Sequence, residues 1–268
     1  MDRSEVLNIF HPLVKEWFLS NIGTPSFPQV LGWPQIQSGK NVLISAPTGA
    51  GKTLAAFLES INRLLEMGLQ NQLPEGVFIL YVSPLKALNN DINKNLEIPF
   101  QGIRRLFIEK GEFFPDIRKS VRTGDTTQYE RAQTLKKPPH ILITTPESLF
   151  LMLTSEKSRE ILRNVHYLII DEIHTLLGTK RGVHLALSVE RLEALARRRI
   201  IRIGLSATVN PLNAAALYLG GYDRTESGFT PRPVEIIAPV MERSKELKIH
   251  VPVEDYRVLE QGSVWPDI

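Results

Sequence analysis

The chain has 268 residues, 43% hydrophobic and 23% charged, with a net charge of +3 and a pI near 9.1. These are ordinary values for a folded domain with a sizeable core, which excludes a disordered chain. The length fits one large α/β domain with appendages better than two full domains of about 150 residues each. Cysteine is absent, which excludes disulfides, thiolate-ligated zinc and iron–sulfur clusters. Apolar runs such as Tyr167–Ile170 fall far short of the roughly 20 residues that span a bilayer, and Asp2 and Glu5 stand where a signal peptide is basic. A cytoplasmic protein with no membrane partner is therefore expected, and the small positive charge permits a polyanionic partner without demanding one.

In chain order, residues 1–40 predict a short helix around Val6–Leu19 and then a loop punctuated by Pro25, Pro28 and Pro34, together an N-terminal cap. Asn41–Ser45 is the first strand-like run. It is followed by Ala46-Pro47-Thr48-Gly49-Ala50-Gly51-Lys52-Thr53 and by a helix pattern over Leu54–Met67, with apolar residues at 54, 57, 58, 61, 64 and 65 and a stop at Gly68. Further apolar runs cover Val77–Ser83, Ile117–Arg122, His140–Thr144, Tyr167–Asp171 and Ile200–Ser206. None alternates with period two, the pattern of strands buried on both faces of a parallel sheet. His184–Arg199 has helical spacing, with Arg197–Arg199 near a C-terminus whose dipole favours cations. Trp33 and Phe57 are expected in the core. The alternation of strand and helix predicts a mostly parallel sheet flanked by helices over residues 41–221. Residues 222–268 read as one or two added strands and a linker-like tail.

The segment Ala46–Thr53 has the chemistry of a triphosphate cradle. Its glycines let backbone N–H groups turn onto the phosphates, Lys52 supplies a point charge, and the Thr53 hydroxyl stands at a helix N-terminus, where it can ligate Mg²⁺. The usual pattern begins with Gly, where this chain has Ala46. Asp171-Glu172-Ile173-His174 closes a buried strand, which brings its carboxylates to the edge where open α/β sheets bind ligands. There Asp171 can hold Mg²⁺ through water while Glu172 orients and deprotonates the attacking water. Ser206-Ala207-Thr208 follows the next strand, within reach of His174.

In these three segments the sequence resembles the superfamily 2 helicases, Ala46–Thr53 matching motif I, Asp171–His174 motif II and Ser206–Thr208 motif III. That resemblance implies a RecA-like P-loop NTPase domain in which His174, Ser206 and Thr208 couple ATP to nucleic acid. Ser83-Pro84-Leu85-Lys86 resembles motif Ia, Arg122-Thr123-Gly124-Asp125 the Gly-Asp motif, and Thr144-Thr145-Pro146-Glu147 motif Ib. Each is a strand-to-helix turn offering backbone N–H groups and hydroxyls to phosphates, a grip that reads no base. Gln29 lies where the family's adenine-reading glutamine lies, and the aromatic that stacks on the base is left open between Phe10 and Trp17.

The stretches Phe10-His11-Pro12-Leu13-Val14, Trp17-Phe18, Leu31-Gly32-Trp33-Pro34, Leu43-Ile44-Ser45 and Gly178-Thr179-Lys180-Arg181-Gly182 narrow the resemblance to the large helicase-related (Lhr) family, close to the Ski2-like helicases. It implies 3′-to-5′ translocation on a single strand of DNA or RNA, unwinding of DNA or RNA–DNA hybrids, and an association with repair. The family also uses a second RecA-like domain and C-terminal domains. The chain stops at Pro266-Asp267-Ile268, about where the second domain is expected to open, so motifs IV to VI have no residues here. Two readings share this fold: an ATP-hydrolysing motor domain, and a module that holds ATP and nucleic acid with little turnover. A third, another class of P-loop machine, finds no Asn-Lys-x-Asp or Leu-Ser-Gly-Gly signature.

Overall fold

A computed structural model describes residues 3–239 apart from Leu85, Thr208 and Ser227, and over 86–95 it describes the helix but not its side chains. In chain order come a 3₁₀ segment at Arg3–Ile9, α1 (Pro12–Asn21), α2 (Phe27–Gln37), β1 (Asn41–Ser45), α3 (Lys52–Leu69), β2 (Ile79–Val82), α4 (Lys86–Glu109), β3 (Lys119–Arg122), α5 (Gln128–Lys136), β4 (Ile141–Thr144) and α6 (Pro146–Thr154). There follow α7 (Glu156–Leu162), β5 (Tyr167–Ile170), α8 (Lys180–Leu195), β6 (Ile201–Ser206), α9 (Leu212–Gly220), β7 (Tyr222–Thr225), β8 (Gly228–Pro231) and β9 (Val234–Ile237). Seven strands form one sheet in the order β3-β4-β2-β5-β6-β1-β9, every neighbouring pair parallel, while β7 and β8 form an antiparallel hairpin.

The unbroken apolar runs have a physical reason in the two cores. Val42, Ile44, Tyr81, Ile143 and Ile169 point to a face covered by α1 to α4, whereas Leu43, Leu80, Leu142, Leu168 and Ile170 point to a face covered by α6 to α9. Both alternating sets are buried, so no polar residue marks a period of two. Trp33 and Phe57 are fully buried as expected. Phe10 and Phe18 meet the Trp33 ring edge-on at 4.9 and 5.5 Å, contacts worth about 0.5–1.5 kcal/mol each beyond their burial. They bind the N-terminal helices into the first core.

Three expectations need correction. The Pro-rich stretch after Pro25 is helix α2, not a loop, because Pro28 falls in the first turn, where no N–H is needed. The Gln29 side chain also accepts the Ser26 N–H at 2.8 Å to cap that turn. Pro34 lies inside the helix, a position propensity alone disfavours and core packing of Trp33 and Ile36 overrides. Helix α8 begins at Lys180, where Thr179 accepts the Gly182 N–H at 2.9 Å, and ends at Leu195. Arg197–Arg199 therefore lie beyond the helix, and Arg199 pairs with Asp223. After Gly221 there are three short strands, of which β9 joins the main sheet beside β1. The expected tail lies outside the described residues.

Candidate functional site

The carboxyl edge of the sheet collects the chemistry in two adjacent groups. The turn Ala46–Gly51 follows β1, Ser206 ends β6 and Asp171 follows β5, and these three strands are neighbours. Ser83-Pro84 follows β2, Thr145 follows β4 and Thr123-Gly124-Asp125 follows β3, the other three neighbours. The boundary runs between β2 and β5. Backbone bonds lock the turns to one another: Ala46 donates to Ser206 C=O at 3.2 Å, Ser83 to Thr144 C=O at 3.0 Å, and Asp171 to Val82 C=O at 3.0 Å.

In the first group Gly51 stands at φ +79 as the N-cap of α3, and a Cβ there would meet the Gln29 Nε2 at 2.7 Å. Both the left-handed backbone and the close approach demand glycine. Thr48 and Gly49 are exposed, Pro47, Gly51, Lys52 and Thr53 half-buried, Ala46 and Ala50 buried. The Lys52 ammonium donates to the carbonyls of Ala46 at 2.6 Å and Pro47 at 3.0 Å. Gln29 is 3% exposed, and its Nε2 donates to Gly51 C=O at 3.3 Å while its Oε1 serves the α2 cap. The amide that sequence reasoning assigns to adenine thus holds the phosphate loop against α2 in this structure. Phe10 lies in the core against Trp33, whereas Trp17 lines the cleft with Thr48, Gly51, Lys52 and Thr53, though only 3% of it is exposed.

The cleft, about 490 Å³, also admits Asp171 and Glu172. Asp171 accepts the Glu172 N–H on Oδ1 at 2.9 Å and the Tyr81 hydroxyl on Oδ2. Glu172 has φ +45, a left-handed backbone strained for a residue with a Cβ. Among the described residues its buried Oε2 has no hydrogen bond, and it lies 3.3 Å from His174 Nδ1. Burial, and then the Asp171 charge, push its carboxyl above the usual range, while His174 and Lys52 pull the other way. The same His174 nitrogen lies 3.1 Å from Ser206 Oγ, so motifs II and III touch. Thr208 lies outside the described residues.

In the second group Pro84 and Thr145 are buried, Gly124 and Asp125 exposed. Thr145 caps α6 by accepting the Ser148 N–H at 3.3 Å, with Pro146 in the first turn. Glu147 is engaged by Arg181 of α8 through two hydrogen bonds of 2.5 and 3.0 Å, which hold its carboxyl below the usual range. Leu85 and the Lys86 side chain lie outside the described residues. Sequence reasoning missed Tyr81, whose hydroxyl is the one polar side-chain atom of β2, and the clasp of Arg181 on Glu147, whose partners are far apart in the chain.

A Gly-rich loop between β1 and α3, a carboxylate pair at the end of β5 and a parallel sheet around them define a P-loop NTPase domain of the RecA-like class. The DEAD/DEAH box helicase family matches residues 27–217, and the chain belongs to that family. It is 47% identical over 94% of its length to the ATP-dependent helicase Lhr-Core protein 2 of Thermococcus barophilus, and 51% identical over 81% to the ATP-dependent helicase Lhr-Core of Methanothermobacter thermautotrophicus. It covers 29% and 25% of those two proteins. Its structure matches that of the Mycobacterium smegmatis helicase Lhr bound to ssDNA and AMP-PNP with a TM-score of 0.81, at 45% identity, over 98% of this chain and 32% of that one. The chain thus spans about 30% of the length of the relatives it resembles, and the resemblance to the large helicase-related proteins runs over nearly all of it.

Proposed function

We propose that the chain is the first motor domain of an ATP-dependent helicase of the Lhr type, binding ATP with Mg²⁺ on one half of the sheet edge and a single nucleic-acid strand on the other. The observation that carries this reading is the partition of the edge: phosphate loop, carboxylates and Ser206 on β1, β5 and β6, backbone-gripping turns on β2, β3 and β4. The structure of an Lhr relative bound to ssDNA and AMP-PNP supports both ligands. In this reading residues 1–40 form a cap, 41–221 the motor domain and 222–268 an extension toward a second RecA-like domain.

Lys52 releases the Ala46 and Pro47 carbonyls to meet the β- and γ-phosphates, and the N–H groups at the start of α3 receive them. Thr53 and Asp171 fit Mg²⁺, because a hydroxyl and a carboxylate in one cleft leave the remaining positions to phosphate and water, as this ion prefers. No cluster of three or more His, Asp or Glu able to hold a metal occurs among the described residues, in keeping with a site completed by the nucleotide. When bound, the ion neutralises phosphate charge. Glu172 accepts the proton of the attacking water, and its raised affinity for protons suits that task. His174 and Ser206 relay the state of this site along the sheet edge. Phosphates of the strand rest on amides and hydroxyls near Pro84, Leu85, Lys86, Gly124, Asp125, Thr145, Pro146 and Glu147, without base readout. Gln29 acts on the adenine side of the loop it braces.

Hydrolysis of ATP measured with and without single-stranded DNA tests the proposal. A slow reaction accelerated by the strand is expected. Tight binding of ATP and strand with no turnover would favour the holding module instead, and failure to bind ATP would sink both.

A further inference from the structure

Strand β2 lies on the divide between the two groups of motifs, and Tyr81 is its penultimate residue. Its ring is fully buried and stacks on Phe57 of α3, centroids 5.0 Å apart and planes 23° from parallel. Phenylalanine would fill that space without a polar atom, and a buried hydroxyl without a partner is destabilising. The hydroxyl therefore calls for an explanation, and its partner among the described residues is Asp171 Oδ2. The other carboxylate oxygen accepts the Glu172 N–H at 2.9 Å, and the Asp171 N–H donates to Val82 C=O at 3.0 Å. Strand β2 thus grips Asp171 by backbone and by side chain, and the carboxylate plane is fixed from both oxygens. Each oxygen keeps a further lone pair for a metal-bound water.

We infer that Tyr81 is a positioning residue for Mg²⁺–nucleotide binding, holding the Asp171 carboxylate in the orientation that meets the ion's water shell. The inference rests on the proposed role of Asp171. Its physical basis is preorganisation: a carboxylate already held loses less rotational freedom when it takes up the ion, and outer partners that orient ligating groups are worth about 10–100-fold in metal affinity. The group held in place directly follows β5, whereas the group that holds it sits on β2, two residues before Ser83-Pro84.

The test is a Mg²⁺ titration of the binding of a fluorescent, non-hydrolysable ATP analogue to the chain, with melting followed in parallel. Tyr81→Phe keeps the ring and its stacking. It is expected to raise the Mg²⁺ needed for half-maximal binding by about 10-fold, to leave binding in EDTA unchanged, and to add nothing in an Asp171→Asn background. An unmoved Mg²⁺ midpoint in Tyr81→Phe, while Asp171→Asn moves it, overturns the inference and leaves the role of Asp171 standing. An unmoved midpoint in Asp171→Asn overturns the role of Asp171 and the inference with it. Equal shifts in Tyr81→Phe and Phe57→Leu, or a large fall in the melting temperature of Tyr81→Phe, would assign the hydroxyl to packing and overturn the inference as well.

Discussion

Lys52 and Glu172 share a cleft but are held by different forces, and substitutions should separate them. The Lys52 ammonium is parked on two loop carbonyls, so exchanging those for phosphate oxygens preserves charge-assisted hydrogen bonds, each worth about 1.5–3 kcal/mol. Lys52→Ala is expected to weaken ATP binding by about 10–100-fold, the same energy expressed as a ratio. Glu172→Gln removes a proton acceptor and no phosphate contact. It should leave ATP affinity within a few-fold of the parent and abolish hydrolysis, and equilibrium binding beside a phosphate-release assay checks both. Glu59 on α3, a buried acid, has a different consequence. Burial is the main cause that pushes its carboxyl up to about 7, with the Tyr167 hydrogen bond opposing. The folded state thus holds this proton more tightly than the unfolded chain, so its stabilising effect is complete below about pH 4.5 and is lost as pH rises to about 7. At about 1.4 kcal/mol per pH unit the loss amounts to roughly 3 kcal/mol. Glu59→Gln, with no proton to lose, should melt above the parent at pH 8 by more than at pH 5.

At the scale of elements, helix ends and ion pairs decide how the edges of the fold are closed. The Ser26–Gln29 cap starts α2, and the same glutamine braces the phosphate loop, so one side chain joins cap and cradle. On the far side of the sheet the fully buried Arg202 of β6 pairs with Glu190 and Glu193 of α8 and donates to the carbonyls of Leu219 and Gly220 at the end of α9. Arg232, nearly buried, joins Glu190 to Asp223 of the hairpin. These two arginines satisfy the last carbonyls of α9 and fasten β7 and β8 to the body. Arg202→Met retains volume but strips Glu193 of the arginine it pairs with and Leu219 C=O of a donor, while Gly220 C=O keeps Arg232. Breaking a buried pair from one side costs about 3–5 kcal/mol, so urea denaturation should show a loss of about that size. The exposed pair Arg181–Glu147 is different: its side chains are 38% and 54% exposed, and its worth to stability is of order 1 kcal/mol or less. Its effect is geometric, holding α6 and its Thr145 turn against α8.

As a whole, the described chain carries one RecA-like sheet and one set of turns proposed to grip a nucleic-acid backbone. Ratcheting a strand through a duplex needs two grips that move relative to one another as ATP binds and is spent. The 268 residues alone are expected to bind ATP and single strands yet fail to displace the shorter strand of a 3′-tailed duplex at any protein concentration. Robust ATP-dependent displacement would show that one grip suffices. Affinity for a single strand should be modest, indifferent to sequence and steeply salt-dependent, because contacts to phosphates release about 0.7 counterion each. Oligonucleotides of different sequence, titrated at two salt concentrations, check this.

Much of this was legible in the residues themselves. The phosphate loop, the Asp171-Glu172 pair and the strand runs were readable because each is local: a glycine conformation, a charge and an apolar stretch need only neighbours in the chain. Helix α2 was not, since its prolines are tolerated only through a cap and a core contact that propensity does not contain. The pairing of β9 with β1 was equally hidden, because a four-residue strand flanked by prolines names no partner. The order of strands decided more than any motif. It set the turns after β1, β5 and β6 beside one another, those after β2, β3 and β4 beside one another, and Tyr81 against Asp171, ninety residues away in the chain. Sequence determined which chemical groups the protein has; tertiary structure decided which of them touch, because hydrogen bonds and packing act over a few ångströms of space whatever their separation along the chain.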